Sequence, residues 1–307
     1  MPVRISSSIA ALAVLLSAGA AVAPARAQVE VPMVDLGWLV VPVYLDNEPI
    51  VLRFILDTGA SVTAVSARTA ARFSRGSSRK IELHGASGPT MALLATVPML
   101  RVGKLSIENH DVIVLADQDL VSDDQAFDGI LGADILSRFD IMIDAPRGSL
   151  WLYPHGVAPT DTAAAGLGAA LPIDLLGGGL IRHRVEVNGA AVDALLDSGA
   201  RRMLINRAGS DAAGIEVHDS TAQTASPGLG DDAFEFHSGS LGALVVAGTS
   251  FAGLRTLVGD LPIFGALGMQ ARPMLIIGAP LLSRCPVFIA YSAHTIRYCR
   301  QPIPPAN

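Results

Sequence analysis

The chain is poor in cysteine, in aromatic residues and in positive charge. Its two cysteines, Cys285 and Cys299, are too few for a structural zinc site, which takes four ligands. Its seven histidines (84, 110, 155, 183, 218, 237 and 294) are scattered, and no two stand in the His-x-x-x-His spacing of a helical zinc site. No metal and no cofactor is therefore expected. Lys and Arg number 22 against 28 Asp and Glu, for a formal net charge of −6. No basic stripe is present, which argues against nucleic acid as a partner. Beyond residues 1–27 no run reaches the ~18 uninterrupted apolar residues of a membrane-spanning helix. The Gly-rich pieces near 166–168 and 228–230 do not follow a strand and open a helix, so no phosphate loop is implied. Gly248-Thr249-Ser250-Phe251-Ala252 ends in Ala, where the elbow of a serine hydrolase has Gly.

What is abundant is Val, Ala, Leu and Gly, which suits a compact, mostly β protein with tight turns. The N-terminus has a different character. Met1–Arg4 is a short basic start, Ile9–Ala23 is apolar, and Ala25-Arg26-Ala27 has the small-x-small form of a cleavage site. This reads as a secretory signal peptide over residues 1–27, with Gln28 as the mature N-terminus. The alternative, a membrane anchor, is disfavoured by the shortness of the run. The expectation is an exported protein, periplasmic or secreted, with no stable membrane anchor after cleavage. In such a compartment a close, even pair of cysteines reads as a Cys285–Cys299 disulfide; two unbonded buried thiols are the alternative.

The remaining ~280 residues have room for two small domains, and they repeat. Ile55-Leu56-Asp57-Thr58-Gly59-Ala60 returns 140 residues on as Leu195-Leu196-Asp197-Ser198-Gly199-Ala200. At that offset Pro32–Asp57 lies over Pro172–Asp197 without a gap. In the first half the strand-like runs Leu39–Leu45 and Ile50–Leu56 flank a turn at 46–49. In the second half Leu180–Val187 and Ala191–Leu196 flank Asn188-Gly189, a strong hairpin signal. A second register, offset by 146, lays Leu131–Arg138 over Ile277–Arg284 and continues through hairpins at Ile141–Leu152 and Val287–Tyr298. Cys285 and Cys299 stand at the open end of the last hairpin. Pro154–Ala170 reads as a linker, although Ala163–Ala170 could be a helix if Gly166 and Gly168 did not weaken it. Short helices are expected at Val65–Phe73 and Ile135–Arg138 and at their counterparts. The organisation is thus 1–27 signal peptide, 28–153 N-terminal lobe, 154–170 linker and 171–307 C-terminal lobe.

Two aspartates on equivalent loops, brought together by a twofold repeat, have a particular chemistry. Carboxylates too close for both to ionise hold one proton between them. The charged member can act as general base on a water, and the neutral member can donate to a carbonyl. Thr58 and Ser198 can hydrogen-bond across to the opposite loop, and Gly59 and Gly199 permit close backbone approach. For a single Asp-Thr-Gly, a side-chain-capped turn would suffice as an explanation.

These motifs resemble those of the retropepsin/pepsin clan of aspartic endopeptidases, specifically the bacterial exported retropepsin-like type with two lobes in one chain. In that clan an apolar-apolar-Gly motif braces each aspartate loop; here Ile130-Leu131-Gly132 and Ile276-Ile277-Gly278 match it. The resemblance implies an all-β fold of two pseudo-twofold-related barrel lobes with a cleft between them. It also implies Asp57 and Asp197 as catalytic residues, with Thr58, Gly59, Ser198 and Gly199 supporting them. The substrate would be a polypeptide bound extended under flap hairpins. The flap and substrate candidates are Gly85, Ala86, Ser87 and Gly88 in the first half and Gly228, Leu229 and Gly230 in the second. With both aspartates in one chain, a monomer suffices. Ala60 and Ala200 stand where pepsin-like members often carry a hydroxyl, so a somewhat less acidic dyad and activity reaching toward mildly acidic or neutral pH are expected. Arg201 and Arg202 follow Ala200 where the family more often has small polar or acidic residues. Either one of them, with Arg201 the candidate, lines the cleft and favours an acidic substrate side chain or lowers the dyad's pKa, or both are solvated at the loop edge. Two rivals are a non-catalytic peptide-binding or scaffold protein that retains the fold, and an exported hydrolase that uses serine.

Overall fold

The computed structural model describes residues 28–46, 48–73, 79–85, 88–122, 125–160, 162–225 and 234–303. The signal-peptide reading of 1–27 lies outside these residues. Six strands of the first half close into a barrel in the spatial order Leu39–Leu45, Leu52–Leu56, Gly129–Leu131, Ala64–Ser66, Leu105–Leu115 and Gly88–Val102. The ring shuts where Leu100 pairs with Leu45. The second half repeats that order with Leu180–Val187, Ala190–Leu196, Met274–Ile277, Met203–Ile205, Thr249–Val258 and Phe234–Val246, and shuts where Val187 pairs with Leu244.

The sequence pattern explains these strands. Leu105 and Ile107 face the core while Ser106 and Glu108 face out, the period-2 alternation of a sheet with one wet face. Nearer the aspartates the alternation stops: Phe54, Ile55 and Leu56 are all buried, because this strand lies inside the sheet and is covered on both faces. The Asn188-Gly189 turn has φ of 49° and 83°. A type I′ hairpin turn needs positive φ at both positions, which Asn and Gly tolerate.

A third sheet joins the halves. Its six strands run Val29–Pro32, Ser149–Tyr153, Asp140–Asp144, Val287–Ala290, Thr295–Tyr298 and Leu171–Pro172. The two hairpins expected from the second register are therefore neighbours, paired through Ile141 with Ile289 and Met142 with Phe288. Buried Asp140 ties the junction, accepting from Ser292 N at 2.9 Å, Ser292 Oγ at 2.6 Å and Gly156 N at 2.9 Å. One apolar core runs through both barrels and this sheet, from Val31 and Phe54 to Leu196 and Ile289. Cys285 and Cys299 are bonded, with Cα atoms 5.4 Å apart.

Helices are short. Ala67–Ala70 occupies only part of the expected 65–73 segment, because Ala64–Ser66 is a barrel strand and Ser66 Oγ caps the helix by accepting from Thr69 N. Ala133–Leu136 follows the first brace, and Arg207–Ala212 and Ala279–Leu282 are the counterparts in the second half. The linker holds one helical turn, Thr162–Ala165, which stops at Gly166. No described helix is long and apolar enough to cross a membrane.

Candidate active site

Each aspartate sits at the end of a barrel strand that runs parallel to its brace. Ile130 and Leu131 pair with Ile55 and Leu56, and Ile276 and Ile277 pair with Leu195 and Leu196. The ladder continues into the loops: Asp57 N donates to Leu131 O at 3.1 Å and Asp197 N to Ile277 O at 2.9 Å. Beyond the aspartates, Ala133 N donates to Ala60 O at 2.7 Å and Ala279 N to Ala200 O at 2.8 Å. The brace thus holds its loop on both sides of the carboxylate, using backbone groups only.

The loops then lock to each other. Thr58 N donates to Ser198 Oγ at 3.0 Å, and Ser198 N donates to Thr58 Oγ1 at 3.0 Å. The same hydroxyls donate onward across the interface, Thr58 Oγ1 to Leu196 O at 2.9 Å and Ser198 Oγ to Leu56 O at 2.7 Å. Four buried bonds satisfy both hydroxyls and fix the separation of the loops. Glycine makes that separation small. A Cβ on Gly59 would lie 2.4 Å from Asp197 Cγ, and one on Gly199 would lie 2.3 Å from Asp57 Cγ. Any side chain at either position would displace the opposite carboxylate.

Asp57 and Asp197 are buried. Gly59 N and Ala60 N donate to Asp57 Oδ1 at 2.8 and 2.9 Å, and Gly199 N donates to Asp197 Oδ1 at 2.9 Å. The other oxygen of each, Oδ2, has no hydrogen-bond partner outside the dyad among the described residues. Loss of solvent raises both carboxyls. Asp57 goes well above its ordinary value, pushed first by burial and then by the charge of Asp197. Asp197 is pushed up to about 6, again by burial, against the opposing pull of a side-chain hydrogen bond with Asp57 and then of its backbone N–H donors. Two carboxyls coupled this way titrate as a pair. Such a pair can hold one proton and present one base and one acid to a single reacting centre.

The walls on the two sides are unequal. Trp38, which the motif reading passed over, reaches across the lobes and donates from Nε1 to Gly199 O at 2.8 Å. Its ring packs edge-on against Phe127, with centroids 5.1 Å apart, and carries the Arg201 guanidinium at 4.7 Å. At the offset of 140 the counterpart of Trp38 is Gly178 and that of Arg201 is Ser61. Gly178, at φ 77°, lies so close to Ser61 that a Cβ would approach its Oγ to 2.3 Å. A signal for Trp38 was available: it is one of two tryptophans in the chain and stands inside the ungapped part of the repeat. Arg201 and Arg202 are both half-buried.

Beside Asp197 a narrow apolar slot is lined by Gly59, Leu180, Leu195, Ile263, Leu267 and Ile276. The hairpin over the first lobe is paired up to Gly85 with Gly88, and Ala86 and Ser87 at its tip lie outside the described residues. The second hairpin is paired up to Ala225 with Phe234; Gly228, Leu229 and Gly230 lie outside the described residues.

No curated protein matches the chain. Residues 41–135 and 183–281 each match the Aspartyl protease family, and together they make up well over half of the 307 residues. Each match runs from the first strand of a barrel to the helix behind its brace, so the family pattern occurs once per lobe. The chain belongs to the aspartyl protease family, as a retropepsin-like member with two lobes in one polypeptide.

Proposed function

We propose that the protein is an aspartic endopeptidase that hydrolyses peptide bonds of exported or periplasmic polypeptides. The observation that carries this reading is the pair of buried carboxylates, Asp57 and Asp197, held against each other by two interlocked loops. In the reaction the ionised carboxylate takes a proton from a water, whose oxygen attacks the scissile carbonyl carbon. The protonated carboxyl donates to the carbonyl oxygen, giving a neutral tetrahedral diol. A proton then passes to the amide nitrogen, the C–N bond breaks, and acid and amine products leave with the dyad again holding one proton. No covalent enzyme intermediate is needed. The low dielectric of the site strengthens each of these interactions.

The substrate would lie extended across the cleft under the two hairpins, using strand-like backbone hydrogen bonds. A monomer contains the whole site. Residues 1–27 are read as a signal peptide, and mass spectrometry of the exported protein should find Gln28 at its N-terminus. The decisive experiment replaces each aspartate in turn. Asp57→Asn and Asp197→Asn should each abolish cleavage of a peptide library while circular dichroism and gel filtration stay unchanged. Full activity in either variant would overturn the mechanism. A variant that still binds peptides, alongside a wild type that never cleaves them, would favour the binding-protein rival.

A further inference from the structure

Beyond the dyad a cavity of about 770 Å³ opens where the aspartate loop of the second lobe meets the first lobe. Arg201 and Arg202 line it from that loop, Arg255 from the Thr249–Val258 strand and Arg284 from the end of the brace helix. Asp35 of the first lobe is the sole carboxylate among the lining residues. Four guanidiniums around one cavity are a local reversal in a chain of net charge −6 and focus a positive field there. Arg255 is exposed. Arg284 donates from Nη1 to Ala252 O at 3.0 Å, and its buried Nε has no partner among the described residues. Stacking on Trp38 restrains Arg201, so less side-chain freedom is lost when it binds an anion.

The fold does not require this charge, because the first lobe is built without it. Ala64 pairs with Ile113 as Leu204 pairs with Leu257, which makes Asp111 the counterpart of Arg255. Ser61 and Val62 stand for Arg201 and Arg202, and Arg138 stands for Arg284. One Arg and one Asp in the first lobe thus correspond to four Arg in the second. The cavity adjoins the aspartate loop, because Arg201 and Arg202 line it. Arg201 is four residues from Asp197, a span of at most roughly 13 Å of extended chain.

We propose that this cavity is a subsite for acidic side chains of the polypeptide substrate. The substrate class is then a polypeptide with Asp or Glu within a few residues of the scissile bond, on the side held by the second lobe. The proposal rests on the endopeptidase reading above, and it can fail separately from it.

The test compares two peptides of one sequence that differ only in carrying Glu or Gln at positions flanking a cleaved bond. Wild type should cleave the Glu peptide with kcat/KM about tenfold higher, and added salt should shrink that ratio. Arg255→Glu and Arg201→Ser should bring the ratio close to one. Arg297→Glu, an exposed strand position in the shared sheet, should leave it unchanged. Arg201→Ser also removes the contact with Trp38, so Arg255→Glu keeps the test meaningful if that variant unfolds. Binding of the same peptides to Asp57→Asn, read by fluorescence anisotropy, gives the preference without any turnover and so separates this proposal from the dyad. Equal handling of the two peptides overturns the subsite. So does competition by inorganic phosphate in the absence of any Glu preference, which would make the cavity a site for free anions.

Discussion

Behind Asp57, the first lobe uses a polar network: Thr63 N and Oγ1 donate to Asp134 Oδ1 at 2.9 and 2.7 Å, His110 Nε2 lies 2.8 Å from Asp134 Oδ2, and Gly132 N donates to Thr63 Oγ1 at 3.1 Å. Behind Asp197, the corresponding residues are Met203, Pro280 and Leu254, and Gly278 N points at Met203 Sδ at 3.4 Å. The closing hairpins differ as well. The second is clipped by Cys285–Cys299, while Phe139 and Tyr153, both buried, occupy those positions in the first. The backbone bonds of loop to brace and the four bonds between the loops are common to both lobes. The side chains behind them are not. What the site needs is the backbone geometry, and either a polar or an apolar backing can hold it.

The largest test of this likeness is the dyad. If the two lobes contribute equally, Asp57→Asn and Asp197→Asn should each lower kcat by at least about 10³-fold, roughly 4 kcal/mol of barrier; a much smaller loss on one side would break the symmetry. The same variants carry a stability prediction. Both carboxyls are raised, so the folded protein holds the proton more tightly than the unfolded chain. Their contribution is then favourable below the ordinary carboxylate range and is lost as pH rises through the folded values. Either Asn variant should therefore melt several degrees higher than wild type at pH 7, with a smaller gain at pH 4. The pH–rate profile should extend into mildly acidic or neutral pH, and activity confined below about pH 3 would contradict the raised pair.

Next comes the clip present in one lobe only. Replacing both cysteines by Ala should cost about 3 kcal/mol in urea unfolding, the chain-entropy value for a loop of this length. A loss below about 1 kcal/mol would mean that packing alone holds that hairpin, as it does in the first lobe. Asp134→Ala should then cost on the order of 2 kcal/mol, because it leaves the buried donors of Thr63 unpaired, whereas Pro280→Ala in the apolar counterpart should change stability by less than about 1 kcal/mol. Equal losses would show that the two backings are not alternatives. The smallest expected effect is at the unequal walls. Trp38→Phe keeps an aromatic face for Arg201 but deletes the bond to Gly199 O, and should cost about 1 kcal/mol with a few-fold loss of activity. An unchanged variant would make the cross-lobe bond incidental.

Much of this is legible in the sequence. The doubled Asp-(Thr/Ser)-Gly-Ala, the two braces, the Asn188-Gly189 turn and the close cysteine pair are local signals, and each lies where local chemistry dictates. The 146 offset correctly indicated two equivalent hairpins. It could not show that they pair with each other through Met142 and Phe288, because strand pairing across a long separation leaves no local trace. Trp38 and Gly199 are 161 residues apart, and nothing at either position announces the other. Nothing local in the sequence relates Arg255 and Arg284 to Arg201 and Arg202; the fold places all four around one cavity.

The sequence by itself determined that the chain is a repeat, that its strands alternate and turn where they do, and that two aspartates occupy equivalent loops. These follow from propensities and spacings that act over a few residues. Only the tertiary structure decided that the aspartates share one buried environment, that each glycine lies against the opposite carboxylate, and that the second lobe gathers four arginines around one cavity. Those properties belong to distances between residues far apart in the chain, set by the way two closed barrels pack through a common sheet.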